Sequence, residues 1–321
     1  MIRINVKTSG ANRAGSFIEK FSVPDVALDV IDRIVTPIEQ NALEHLPSVF
    51  QTEDVRKALR EITGRETSAD DAENFVKEAY RRGVFSIEDE AKKLYKGGSF
   101  YGRLDVFAIS ENETYRSFPE DVRKALDDWY FSAYLEWLDP DLSSRPTDDE
   151  VITLEEALRG IDEDSRQIYL APCDCRSLSG ACGEPVLTCL SYRNAPNTFA
   201  HRGLSKPVTK EEARQVVLMA HKAGLVHTRN RGGICNCCRD CCYLFRARMA
   251  RNSGALWPRA DKVICIDSET CVSCGICAGR CRFTALKLED GKLALDSEKC
   301  VGCGICADAC PTGALKLKER T

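Results

Sequence analysis

Two copies of one cysteine spacing near the C-terminal end constrain this chain more than any other feature. Cys271, Cys274, Cys277 and Cys281 read C-x2-C-x2-C-x3-C. Cys300, Cys303, Cys306 and Cys310 repeat it, with Pro311 after the last. Thiolates at this spacing hold a cubane of iron and sulfide, and the fourth cysteine of each run serves the other cluster of a pair. A chain so equipped handles electrons one at a time. A zinc ribbon is the competing reading, but ribbons want two CxxC pairs rather than eight cysteines in this order.

The copies are offset by 29 residues, and their flanks repeat too: TALKL at 284–288 answers GALKL at 313–317. Each copy reads as a strand, a cysteine loop, a short helix from the fourth cysteine and a returning strand. A unit this small cannot build a core of its own, so metal must cross-link it. Gly275 and Gly304 fall among the cysteines, where the chain has to turn tightly.

From about residue 262 to 321 the chain resembles the bacterial-type two-cluster ferredoxins. By position, that resemblance implies that Cys271, Cys274, Cys277 and Cys310 hold one 4Fe-4S cluster and that Cys300, Cys303, Cys306 and Cys281 hold the other. The first copy departs from the pattern in having Arg282 after Cys281, where the second has Pro311. A cation there would stabilise the reduced form of the neighbouring cluster and raise its potential.

A chain of 321 residues, 43% hydrophobic and 29% charged, implies two or three domains of ordinary globular composition. No run approaches the ~18 apolar residues of a membrane span. The opening MIRINVKTSGANRAG lacks the apolar stretch of a secretory signal, and cluster thiols must stay reduced until metallated, so a low-oxygen cytoplasm is expected. Charge is uneven. Residues 1–150 carry 20 Lys+Arg against 30 Asp+Glu, net −10, and residues 151–321 carry 25 against 19, net +6. Most of the basic excess lies between 151 and 260.

The expected fold class is α+β, with an acidic, mostly helical domain over 1–142. Residues 52–63 suit an amphipathic helix stopped by Gly64. Ser68 and Asp71 form a capping box for a helix running to Arg82, with Gly83 as its stop. A glycine-punctuated hairpin follows, with LDVFAI (104–109) reading as strand. Two helices and a hairpin suggest a winged helix. DNA binding draws on Lys and Arg, and this domain is acidic, so a structural or partner-docking role is the better expectation. A further helix spans 119–138, its aromatics reading as core. Residues 143–160 read as a linker.

The cysteine-rich region, 161–261, holds nine cysteines: Cys173, Cys175, Cys182, Cys189, Cys235, Cys237, Cys238, Cys241 and Cys242. They read as two loops tied by a helix from Thr209 to Gly224. Vicinal pairs such as Cys237-Cys238 cannot both point at one small core. Disulfides sit badly with reduced cluster ligands. CxC and CC spacings suit one or two further iron–sulfur clusters better than zinc, with free thiols a third reading. Arg239, Arg246 and their neighbours surround the second group, either as a solvated helix face or as cations answering the negative charge of a cluster. The histidines make no metal-ligand pair at helical spacing and read as core residues.

CDCR, Cys182, Cys189, AGLVH and ICNCC, together with the ferredoxin-like end, make the chain similar to a group of multi-domain iron–sulfur proteins of anaerobic bacteria and archaea. That resemblance implies electron transfer to a redox partner protein, such as a flavin or metal oxidoreductase, and little about a substrate. Neither a P-loop nor a strand-linked GxGxxG is present. The leading expectation is therefore an electron-transfer protein or subunit. The alternatives are a redox sensor, or an oxidoreductase with a substrate-binding cluster at 235–242.

Overall fold

The computed structural model describes residues 16–141, 145–253 and 257–320. The opening segment read for export signals lies outside the described residues, as do 143 and 144 of the expected linker. The fold is α+β, and contacts divide the chain into two units, Met1–Leu126 and Asp127–Thr321.

In the first unit, the helix Thr52–Thr63 ends at Gly64 in the left-handed region, φ 66°. The helix Ala69–Arg81 starts from the reciprocal Ser68–Asp71 box: the Asp71 N–H donates to Ser68 Oγ at 3.1 Å, and the Ser68 N–H to Asp71 Oδ2 at 3.3 Å. Strands β1 (Phe85–Asp89) and β2 (Leu94–Gly97) then pair antiparallel. LDVFAI is not a strand. It belongs to the helix Phe100–Ser110, started where the Gly102 N–H donates to the Ser99 hydroxyl. Phe100, Leu104, Val106, Phe107 and Ala108 are all buried, and a short apolar run carries no period to separate helix from strand.

That helix also buries Arg103. Its guanidinium donates to Ile34 O at 2.8 and 2.6 Å, to Arg82 O at 2.9 Å and to Glu111 at 2.6 Å. Burial lowers its pKa to about 10, against the pull of Glu111.

The second unit is built on a six-stranded antiparallel sheet. Its strands are β3 (Glu150–Ile152), β4 (Ile168–Pro172), β5 (Leu187–Ser191), β6 (Lys206–Val208), β7 (Val226–Asn230) and β8 (Gly233–Cys237), in the order β3-β7-β8-β5-β4-β6. The expected linker thus supplies β3 and the helix Leu154–Glu163, which opens on a Thr153–Glu156 capping box. That helix and Lys210–Lys222 cover one face of the sheet through Ala157, Ile161, Ala213 and Val217, packed on Ile168, Leu170, Leu190 and Ile234. Strand alternation sends the neighbours of those residues to the other face. Cys189 precedes Leu190, and Cys235 and Cys237 flank Asn236, so the sheet itself sorts cysteines from the helix layer. The two cysteine groups are therefore not simply loops. Cys189, Cys235 and Cys237 lie on strands, Cys173 caps the helix Asp174–Ser179, and Cys242 caps Tyr243–Ala250.

The C-terminal part of the same unit carries the repeat. β9 (Lys262–Ile266) pairs with β12 (Leu315–Glu319), and β10 (Leu286–Glu289) with β11 (Lys292–Leu295), so the copies interlock. The short helices, Ile276–Arg280 and Ile305–Asp308, precede the fourth cysteine rather than starting from it, and each contains the third. Gly275 and Gly304 cap them with φ of 77° and 80°.

Candidate metal centre

The interlocked copies bring the eight terminal cysteines together in two sets. Cys281, Cys300, Cys303 and Cys306 line one cavity, with Val226, Phe283 and Ile305. Cys271, Cys274, Cys277 and Cys310 line another, with Leu293 and Pro311. In each set the fourth cysteine comes from the other copy. No sulfur–sulfur hydrogen bond joins these cysteines among the described residues.

Backbone donors are aimed at the sulfurs. The Ala285 N–H lies 3.3 Å from Cys281 Sγ. Ile305 donates to Cys303, and Ala278 to Cys277. Burial pushes the Cys303 thiol up to about 12. At Cys310 burial is outweighed by donors from Thr312, Leu315 and Ala314, and its pKa falls to about 7. Four sulfurs around each cavity, met by N–H groups, fit a thiolate-bound cubane, whose potential depends on such hydrogen bonds.

The nine cysteines of the sheet region fall into two groups. Six form a ring of side-chain neighbours on the face opposite the helices Leu154–Glu163 and Lys210–Lys222. Cys173 meets Cys175 and Cys189, Cys175 meets Cys242, Cys242 meets Cys237, Cys237 meets Cys235, and Cys235 closes onto Cys189. Hydrogen bonds from Cys175 and Cys189 hold the Cys173 thiol far down, and those from Cys235 and Cys242 do the same at Cys237. Asp174, buried beside Cys173, is pushed up to about 6, first by burial and then by that sulfur's charge. The remaining three, Cys182, Cys238 and Cys241, stand apart: Cys182 Sγ lies 3.6 Å from Cys238 Sγ and 3.4 Å from Cys241 Sγ.

The cation that serves these cysteines is Arg176, which the sequence reading did not single out. It is buried, hydrogen-bonded to Cys238, and influenced by the charge of Cys173 and Cys189. Burial works against its charge, but the thiolates outweigh it and its pKa rises. Its Nη2 also donates to Thr188 Oγ1 at 2.5 Å and to Asn236 O at 2.9 Å. The arginines chosen from sequence are engaged elsewhere. Arg246 makes a two-oxygen pair with Asp127, 2.9 Å to each, beneath Phe131 and Tyr243. Arg239 reaches Met249 Sδ at 3.4 Å. Arg282 binds Glu184 and, at 2.8 Å, Ala223 O, although Cys281 and Arg282 share the rim of one cavity.

The opposite face of the sheet holds two stacked histidines. His221, on the covering helix, meets His227 of β7, and His227 Nδ1 lies 2.6 Å from Asn236 Oδ1. His221 Nε2 lies 3.2 Å from Asp308, between Cys306 and Cys310. These side chains connect the cluster-bearing repeat to Arg176 through Asn236.

A family model described as a 4Fe-4S binding domain matches residues 293–316, which contain Cys300, Cys303, Cys306 and Cys310. No curated protein and no solved structure matches the chain. With the further cysteine groups, that match makes this an iron–sulfur protein. Among the described residues no helix is long and apolar enough to cross a membrane.

Proposed function

We propose that the chain is a low-potential electron-transfer protein, or a subunit of an oxidoreductase, that carries two 4Fe-4S clusters in its C-terminal repeat and passes electrons to a partner through its sheet domain. When bound, each cluster would accept and release one electron. Cys281, Cys300, Cys303 and Cys306 would hold one, and Cys271, Cys274, Cys277 and Cys310 the other.

One observation carries the relay. Val226 lines the cavity of the Cys281 set and is the cross-strand partner of Cys237 in the six-thiol ring. Cys281 and Cys303 pack on the same apolar cluster as Cys235, Cys237 and Cys242. Apolar packing therefore runs from the repeat to the ring, which has thiols enough for a further cluster. The helix–helix–hairpin order of the first unit supports a winged-helix-like docking module, and its acidity favours a protein partner over nucleic acid.

The test is iron and acid-labile sulfide on protein purified without oxygen, followed by a redox titration read by EPR. About eight irons per chain that reduce in one-electron steps support the repeat, and about twelve extend the relay to the ring. Fewer than about four irons, or an EPR signal that responds to an added small molecule, would sink the relay in favour of a different metal or a catalytic cluster.

A further inference from the structure

The vicinal cysteines of C-C-R-D-C-C divide their sulfurs. Cys237 and Cys242, at the outside, face the six-thiol ring, while Cys238 and Cys241, at the inside, turn the other way. The inner pair is a C-x2-C unit hidden between two doublets. Its Cys241 N–H points at Cys238 Sγ from 3.4 Å, the local turn that lets two thiolates of such a unit grip one ion. Cys182, from the loop after Asp174–Ser179, completes a trio whose sulfurs all lie within 4.8 Å of one another.

The sulfur spacings discriminate between metals. A tetrahedral ion with metal–sulfur bonds near 2.3 Å sets its thiolates about 3.8 Å apart. The trio has 3.6 and 3.4 Å. A disulfide would need about 2.0 Å and only two sulfurs. A cubane puts each thiolate on a different iron, so its ligands stand farther apart. The terminal repeat of this same chain offers a comparison: its two four-cysteine sets line cavities, and no sulfur–sulfur hydrogen bond joins them among the described residues.

The surroundings suit a thiolate-bound divalent ion. Three thiolates on a dication leave one negative charge, and Arg176 is buried against Cys238 to meet it. The Glu184 N–H donates to Cys182. Fixed donors of this kind orient ligand sulfurs and tune the metal. Ala220, Ala223 and Leu225 form an apolar floor. No carboxylate or imidazole joins the trio among the described residues, and Cys182 is only half-buried, so the fourth corner faces outward.

We propose that Cys182, Cys238 and Cys241 bind a single zinc ion, separate from the iron–sulfur clusters, with its fourth position taken by water. This site does not depend on the relay reading, since it makes no use of the ring or of the terminal cavities.

The test uses the full-length protein purified without oxygen, with zinc, iron and sulfide measured together. C182S, in a half-buried loop, and C238S are each expected to lose about one zinc per chain while iron and sulfide stay at wild-type levels. Zinc-edge X-ray absorption should show three sulfurs and one lighter ligand, and cadmium exchange should produce a thiolate-to-metal ultraviolet band that C182S weakens. Retention of the cluster EPR signals shows that a variant has folded. For a variant that misfolds, zinc absorption on the wild type decides alone. Loss of about four irons with zinc unchanged would assign the trio to a cluster and overturn the proposal. Wild-type protein without zinc, or variants that keep it, would overturn it equally.

Discussion

His221 Nδ1 and His227 Nε2 face each other at 3.2 Å, with ring centroids 5.4 Å apart and planes 17° from parallel. The network fixes their protons. Asn236 Nδ2 donates to Thr188 O at 2.7 Å, which leaves Oδ1 to accept from His227 Nδ1. His227 Nε2 is then the acceptor, and His221 Nδ1 the donor. A second proton on His221 would meet Asp308, whereas a second proton on His227 would meet only His221. Burial pulls both residues down, His221 with Asp308 pushing back and His227 to about 4.

Acid stability should therefore depend on His227. Its folded pKa lies below the unfolded value near 6.5, so its contribution is full above that value and is lost as pH falls toward about 4. The loss is at most about 1.4 kcal/mol per pH unit. Urea midpoints at pH 7 and 5.5 should drop more for the wild type than for H227Q, whose amide can still reach both neighbours. Equal drops would mean that His227 takes up its proton without cost.

Glu156 ties two parts of the second unit. Its carboxylate caps Thr153 and accepts from Lys262 Nζ of β9 at 2.6 Å. Burial raises its pKa, but the bonds from Lys262 and Thr153 outweigh that and bring it to about 2. The contribution is present above the unfolded value of 4.5 and fades as pH falls toward 2. With Lys262 partly exposed, we expect E156Q to cost about 1 kcal/mol at pH 7, which is about 2–4 °C of melting temperature. An unchanged melting temperature would show that the pair is screened away.

Arg103 should be the most sensitive charged residue of the first unit. R103M would leave Ile34 O and Arg82 O without this donor and Glu111 without its 2.6 Å partner. Removing one side of such a buried arrangement costs about 3–5 kcal/mol. Guanidinium unfolding of the first unit should register that loss, and a change below about 1 kcal/mol would mean that water replaces the guanidinium.

The two terminal sets should differ in air sensitivity. Cys274 is exposed, whereas Cys300 and Cys306 are buried. On exposure to air, iron should leave in two phases, the faster one from the Cys274 set. C274S should remove the fast phase and C303S the slow one. A single phase in all three proteins would contradict this difference in access.

The terminal repeat was readable because its ligands sit at fixed spacing, and metal geometry leaves the chain little choice. The capping boxes at Ser68 and Thr209 were equally local, whereas the one at Thr153 lay in a stretch read as linker. Thr209 accepts from the Glu212 N–H at 3.2 Å, as its spacing implied. LDVFAI misled because a short, mostly apolar run carries no period that separates helix from strand. The region 233–242 hid two facts. Its first half is a strand, so ICNC alternates faces, and its second half overlaps two groups of sulfurs in one string. Reading every second residue, and taking 238 with 241 rather than with 237, would have exposed both. Arg176 gave no local signal, because its partners Thr188, Asn236 and Cys238 are distant in sequence and only the sheet assembles them.

The exchange of fourth cysteines between the repeat copies bears on how such a domain can evolve. Cys281 belongs to the cavity of the second copy and Cys310 to that of the first. Neither half is a spare. A deletion or frameshift confined to one copy removes a cysteine from the set that survives, so the repeat binds the two halves to a common fate.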